Sequence, residues 1–189
     1  GATLLDAAHR VLRPCILWND TRSHAEAAAL DADPRFRAVT GNIVFPGFTA
    51  PKLMWVRSNE PQVAEKVALV LLPKDYLRLW LTGEAVAEMS DAAGTSWLDV
   101  GRRDWDDGLL AATGLSRAQM PRLVEGSEVS GLLRDDLGAR WGLPKGVVVA
   151  GGGGDNAASA VGVGVVQAGE AFVSLGTSGV LFAASDAYR

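Results

Sequence analysis

The sequence predicts an α/β fold, and three observations carry that expectation. Short apolar runs of strand length recur along the 189 residues, with "VALVLLP" (67–73) and "VVVA" (147–150) the clearest. Between them lie stretches of helix-forming composition, such as "SHAEAAALDA" (23–32) and "KDYLRLWLTG" (74–83). Strand-like and helix-like stretches alternate along the chain, the ordering of an α/β domain.

The elements follow in order. Leu4-Leu5 and Ile16-Leu17-Trp18 read as strands. Thr21 is placed to cap a helix running through residues 23–32. "GNIVFPGFTAP" (41–51) is rich in turn formers and reads as a loop. Lys52 to Arg57 reads as helical, and Pro61 suits the first turn of a further helix. Residues 67–73 form a buried strand by length and branching. In 74–83, helical spacing puts Tyr76, Leu77, Trp80 and Leu81 on one face, with Gly83 as the stop. Ser116 and Gln119 stand at capping-box spacing. "VVVA" is expected to be a buried strand, and the small residues after Asp155 a tightly packed helix. "EAFVSLGTSGVLFAA" (170–184) reads as two strands around a glycine turn.

Composition narrows the function. Hydrophobic residues make up 48% and charged residues 21%, as in globular domains. The net charge of −4, with no basic run, argues against a nucleic-acid partner. No stretch approaches the ~18 consecutive apolar residues of a membrane span. Cys15 is the only cysteine, which excludes an internal disulfide and a cysteine-based zinc site and fits a reducing, cytoplasmic setting. Neither His9 nor His24 has a partner at ligand spacing, and both are expected at the surface.

The most informative stretch is "VVVAGGGGDNAASAVGVG" (147–164), where a strand runs into four glycines and an Asp-Asn pair. Gly152 to Ala157 matches a loose dinucleotide fingerprint, but the acid that should end the next strand is replaced by "SLGTSG". No P-loop pattern occurs. Asp155 can be read as a helix cap. It can also be read as a base that takes a proton from a hydroxyl, with the glycines letting a substrate or phosphate approach bare backbone. Gly176, Thr177 and Ser178 have the same duality: a hairpin turn, or N–H and hydroxyl groups around a phosphate. Trp18 lies beside Asn19, Asp20 and Arg22, an aromatic face next to polar groups that suits a sugar, although a core Trp is the commoner case.

Seven stretches in order, "GATLLD", "ILWNDTR", "PGFTAPKLMW", "LLPKDYLRLWLTGE", "MSDAAGTSWLDV", "GGGDNAASAVGVG" and "SLGTSG", resemble the FGGY carbohydrate kinase family. The resemblance implies a ribonuclease H-like (actin/hexokinase-like ATPase) fold of two domains around a cleft. Residues 1–165 would be most of the sugar-binding N-terminal domain, and 166–189 the start of the ATP-binding C-terminal domain. It implies transfer of the γ-phosphate of ATP, with Mg2+, to D-xylulose. Asp155 matches the family's catalytic base and Asn156 a sugar-binding neighbour. Gly176, Thr177 and Ser178 match a phosphate loop, and Trp18 matches a position lining the sugar pocket. Asp91 lies in a matching stretch without an assigned chemistry. The family's Asp-x-Gly-Thr loop, its Met-His pair and its adenosine segment are not among these residues. Both ends read as strands cut from a sheet, so an internal piece of a longer protein, inactive alone, is expected. The expected partners are sugar and ATP, with a homodimer as the candidate assembly and neither nucleic acid nor membrane. Another ketose or a polyol as substrate, or a non-catalytic sugar-binding member of the fold, are the alternatives.

Overall fold

In the computed structural model, which describes residues 1–176 and 179–188, strand β1 (Thr3–Leu5) pairs antiparallel with β2 (Leu69–Leu71). Both are buried along their length, as their apolar composition requires. Between them run α1 (His24–Asp31), α2 (Pro34–Thr40), α3 (Thr49–Asn59) and α4 (Pro61–Ala64). The boundary signals of α2 are local: the Asp33 side chain accepts from the Arg35 N–H, Pro34 occupies the first turn, and Gly41 ends the helix at φ 67°. Then follow α5 (Pro73–Thr82), β3 (Val86–Glu88), α6 (Met89–Ala92), β4 (Leu98–Asp99), β5 (Asp104–Trp105) and α7 (Asp107–Ala112). The chain continues through β6 (Arg122–Val124), β7 (Val129–Leu132), α8 (Asp135–Arg140), β8 (Val148–Ala150), α9 (Asp155–Val163), β9 (Ala171–Leu175) and β10 (Gly179–Ala183). β3 and β6 are parallel; β4 and β5, β7 and β8, and β9 and β10 form antiparallel pairs.

One apolar core joins β1, α1 to α3, α7 and the β4–β5 hairpin around Trp97, Phe36, Leu4, Ile16, Leu53 and Leu110. Burial of each such side chain is worth about 1.5–3 kcal/mol. The indoles satisfy their polar edges within it: Trp97 Nε1 donates to Thr113 Oγ1 at 2.8 Å, and Trp105 Nε1 donates to the Pro121 carbonyl at 2.8 Å. Ala92, the last residue of α6, belongs to this core, so the short helix that carries Ser90 and Asp91 stands on a rigid base.

Several expectations hold. The capping box of Ser116 and Gln119 is made, on a 3₁₀ turn over Arg117–Gln119. The two strands expected within 170–184 pair antiparallel, with Gly179 opposite Leu175. His9 and His24 are exposed. Others are corrected. Ile16 makes only an isolated bridge to Ala2, and the chain turns at once through Leu17–Asp20, because Asn19 and Asp20 favour a turn over a strand. The first helix begins after Ser23 rather than Thr21, and Ser23 Oγ donates to the Pro46 carbonyl. β8, paired with β7, is not the buried strand expected: Val148 is 56% exposed. Of α9, only Ala160 is buried.

The largest correction concerns α5. Its inward side is Asp75, Arg78 and Leu79, while Leu77 and Trp80 face outward. Arg78 turns inward because its guanidinium finds backbone carbonyls there, those of Val86 at 3.3 Å and Gly151. Trp80 is partly covered by Trp141, ring centroids 6.4 Å apart.

Candidate active site

The glycine run separates into two pairs. Gly151 N–H donates to the Glu128 carbonyl and Gly152 N–H to the Gly126 carbonyl. A Cβ on Gly151 would press on the Glu125 carbonyl, and Gly152 sits at φ 79°, where L side chains are strained. Arg78 holds the Gly151 carbonyl from the other side. Backbone packing therefore explains Gly151, and the left-handed backbone conformation explains Gly152. Neither explains Gly153 and Gly154: a Cβ on either would meet only ordinary contacts, with Ser90 Oγ at 3.6 Å and Asp91 Cα at 3.5 Å. The approach of a ligand to bare backbone, expected of the whole run, is left to this second pair.

Gly154, not Asp155, is the N-cap of α9, and no side chain caps the helix. Asp155 is the first helical residue, and its Oδ1 accepts the Asn156 N–H at 2.9 Å. The cap reading of Asp155 is thus corrected, because a Gly at the cap position leaves the carboxylate one residue further on and exposed. It faces a cleft of about 360 Å³ lined by Ser90, Asp91, Gly94, Gly154, Asp155, Asn156, Ala157 and Phe182. One wall is α6 and the turn after it, the other is the start of α9, and Phe182 comes from β10.

The α6 wall is built on Glu88, buried at the end of β3. Its carboxylate caps α6, accepting from the N–H groups of Ser90 at 2.7 Å and Asp91 at 3.3 Å. It also accepts the Ser90 hydroxyl at 2.7 Å, and Ser90 Oγ accepts the Gly154 N–H at 2.9 Å. The two walls are thereby hydrogen-bonded to each other. Asp91 is paired with Lys74 at 3.2 Å, and Lys74 also reaches Asp75 at 2.7 Å. Burial pushes the Asp75 carboxyl up from the ordinary aspartate range against the pull of Lys74, and its Oδ2 has no partner among the described residues.

The structure brings Asp155 and Asn156 together in the cleft. Trp18 stands in the 17–20 turn, 75% exposed and outside the cleft lining. That turn is fixed from beneath by the buried Lys52, whose Nζ donates to the Asp20 carbonyl at 2.7 Å. Asp20 itself is held down to about 2, chiefly by the side-chain hydrogen bonds of Arg22. Gly176, at the end of β9, is exposed and does not line the cleft. Thr177 and Ser178 lie outside the described residues. Sequence reasoning missed Glu88, Ser90 and Phe182 and gave Asp91 no role. The Glu-x-Ser pattern before a run of small residues is a capping signal that could have drawn attention to the first two.

Residues 1–162 match the FGGY family of carbohydrate kinases, N-terminal domain. The chain belongs to that family. Among curated FGGY relatives, xylulose kinase of Escherichia coli (strain K12) is 59% identical over 189 residues, covering 100% of this chain and 39% of that protein. A crystal structure from Brucella ovis, described as a xyloylose kinase, superposes with a TM-score of 0.97 at 70% identity, covering 100% of this chain and 39% of the other. The xylulose kinase structure from Rhodospirillum rubrum gives a TM-score of 0.92 at 31% identity, over 100% of this chain and 39% of that one. The chain therefore has the α/β, actin/hexokinase-like fold of the FGGY kinases and spans about 39% of the length of these relatives. Among the described residues, no helix is long and apolar enough to cross a membrane.

Proposed function

We propose that this chain works within an ATP-dependent sugar kinase that converts D-xylulose to D-xylulose 5-phosphate, with Asp155 as the general base. The observation that carries the reading is the placement of Asp155. Its carboxylate opens on the cleft at the first residue of α9, released from capping by Gly154 and preceded by two glycines that local packing does not require. The similarity to xylulose kinases supports the choice of sugar. In the reaction, the sugar hydroxyl oxygen bonds to the γ-phosphorus of ATP, the bond from that phosphorus to the bridging oxygen breaks, and ADP leaves. Asp155 takes the hydroxyl proton, and Asn156 beside it holds the sugar. Trp18 is assigned to the sugar and Gly176, Thr177 and Ser178 to the ATP phosphates, on the family resemblance. Residues 1–165 are assigned to the sugar-binding domain and 166–189 to the start of the ATP-binding one.

Mg2+ is usually bound through one or two carboxylates and substrate phosphates rather than by a protein cage. The cleft fits that pattern: Asp91 and Asp155 are two carboxylates that line it. When bound, Mg2+ would neutralise charge on the phosphates.

Asp155→Asn in the full-length protein tests the assignment. The variant keeps the size of the side chain and leaves the Gly154 cap untouched. Turnover at saturating D-xylulose and ATP is expected to fall by about 10²–10⁴-fold, the usual contribution of a general base, with the melting temperature unchanged. Near-normal turnover overturns the base assignment. A sugar panel assayed by ADP release on the unaltered enzyme tests the substrate, and a clear preference for another ketose or a polyol overturns that part.

A further inference from the structure

We infer that Ser90, oriented by Glu88, is a positioning residue for the Asp155 carboxylate. This inference rests on Asp155 being the base. The direction of the hydrogen-bond chain follows from what each group can do. The Gly154 N–H can only donate, so Ser90 Oγ must accept it, at 2.9 Å. Ser90 has one hydroxyl proton left to give, and Glu88 Oε2 lies 2.7 Å away to receive it. Glu88 can serve as that acceptor because its environment offers only donors: the Ser90 N–H at 2.7 Å on Oε1 and the Asp91 N–H at 3.3 Å on Oε2. The result is a one-way relay, from Gly154 to Ser90 to Glu88, that spans the cleft from the α9 wall to the α6 wall.

The relay is needed because of what lies beside it. Gly153 and Gly154 carry no side chains to pack, and glycine has the widest backbone freedom of any residue. The Gly154 carbonyl, in the peptide that leads into Asp155, already accepts the Ala158 N–H at 2.9 Å, so that peptide is set by the helix. The Gly153–Gly154 peptide, which carries the Gly154 N–H, is the one left to orient the start of α9 against the α6 wall. The two glycines that leave room for a ligand leave the orientation of that preceding peptide, and with it the seat of Asp155 against the α6 wall, to be fixed from outside the helix. Gly154 N–H bonding to Ser90 supplies the restraint, and it is anchored on a strand end and on a helix seated on the core through Ala92. Ser90 acts through Asp155 and not on the reacting atoms.

A double-mutant cycle on the full-length protein tests this, using Ser90→Ala in the Asp155 and Asp155→Asn backgrounds, with Ser90→Thr as the conservative rescue. A small misplacement of a catalytic group costs on the order of 10²-fold, so Ser90→Ala is expected to lower kcat by about 10- to 100-fold. KM for D-xylulose and ATP should stay within about twofold, the pattern of an interaction lost in the transition state. Ser90→Thr keeps the hydroxyl and should recover most of the rate. In the Asp155→Asn background, Ser90→Ala should cost nothing further, because there is no base left to position. An equal fractional loss in both backgrounds, or no loss beside an intact Asp155, overturns the inference. Should Asp155→Asn alone turn over normally, the base assignment falls and the inference with it. A slow Asp155→Asn with a fast Ser90→Ala removes the inference alone. If Ser90→Ala does not fold, Glu88→Gln enters the same cycle. It keeps the shape but turns an acceptor into a donor facing donors, and the same outcomes decide.

Discussion

A methyl group added at Gly151 would press on the carbonyl of Glu125 and stand 3.1 Å from Gly126 Cα, both backbone atoms that cannot step aside. The same methyl at Gly153 would meet Ser90 Oγ at 3.6 Å, and Gly153 is not among the residues with positive φ. Two identical residues in one run are therefore held by different demands, and substitution separates them. Gly151→Ala in the full-length protein should cost about 1–3 kcal/mol of stability, the range of overpacking. Gly153→Ala should leave stability unchanged or raise it by about 0.4–1 kcal/mol, through the less flexible unfolded chain, yet lower kcat/KM by crowding the ligand. Thermal melts and steady-state kinetics on the two variants check this. A Gly153→Ala enzyme as active as the parent would mean that nothing approaches that backbone.

At the scale of elements, α5 buries charge where periodicity predicts an apolar face. Helical spacing correctly places Tyr76, Leu77, Trp80 and Leu81 near one another, but it cannot say which side turns inward. That choice is made by the Gly151 carbonyl, 73 residues away in sequence, and by the Val86 carbonyl, which together receive Arg78. The Pro61 start, the Gly83 stop, the capping box and the pairing of β9 with β10 were legible because their signals are local. That Asp155 and Asn156 stand together at the start of a helix after a glycine run was legible because strand, glycines and helix start are contiguous. Ser90, Glu88 and Phe182 were not, because only tertiary folding brings residues 88–94 and 182 to residue 154. The inward charges of α5 also leave a pH signature. Well below pH 4 an aspartate is protonated in folded and unfolded chains alike. As pH rises from there, the unfolded chain releases the Asp75 proton while the folded one, its carboxyl raised by burial, retains it. Stability therefore declines with pH until the folded-state value is passed. Asp75→Asn, whose amide oxygen can still accept from Lys74, removes this dependence. Its melting temperature relative to the parent should rise between pH 4 and pH 7, and a variant that falls further behind as pH increases would contradict the assignment.

At the scale of the whole molecule, the cleft is assembled from segments that have different freedom to move. The α6 wall stands on the core through Ala92. The α9 wall continues into a connection that contains two glycines in the left-handed region, Gly164 at φ 81° and Gly169 at φ 92°. Glu170, just past Gly169, accepts the N–H groups of Val166 and Gln167 that lie between them, both at 2.9 Å, so the connection is a shaped turn that contains two permissive residues. Beyond it the hairpin brings Phe182 to the cleft, and the chain returns to the first helices, where the Tyr188 hydroxyl donates to the Ala38 carbonyl at 2.8 Å. On the proposed sugar-kinase reading, ATP held in an open, wet cleft would lose phosphate to water, and closure over the sugar would prevent that. On the same reading, Gly164 and Gly169 are positions whose permissive backbone suits such a change, and the core beneath α6 offers a rigid wall to close against. Saturating D-xylulose should therefore make the full-length protein more compact, as a smaller radius of gyration in small-angle scattering. Gly164→Ala together with Gly169→Ala, each strained at positive φ by about 1 kcal/mol, should blunt that change while leaving Asp155 and its cleft contacts in place. Identical scattering with and without sugar would show a rigid cleft. The exclusion of water would then have to come from the residues around Phe182 and Asp155 as they already stand.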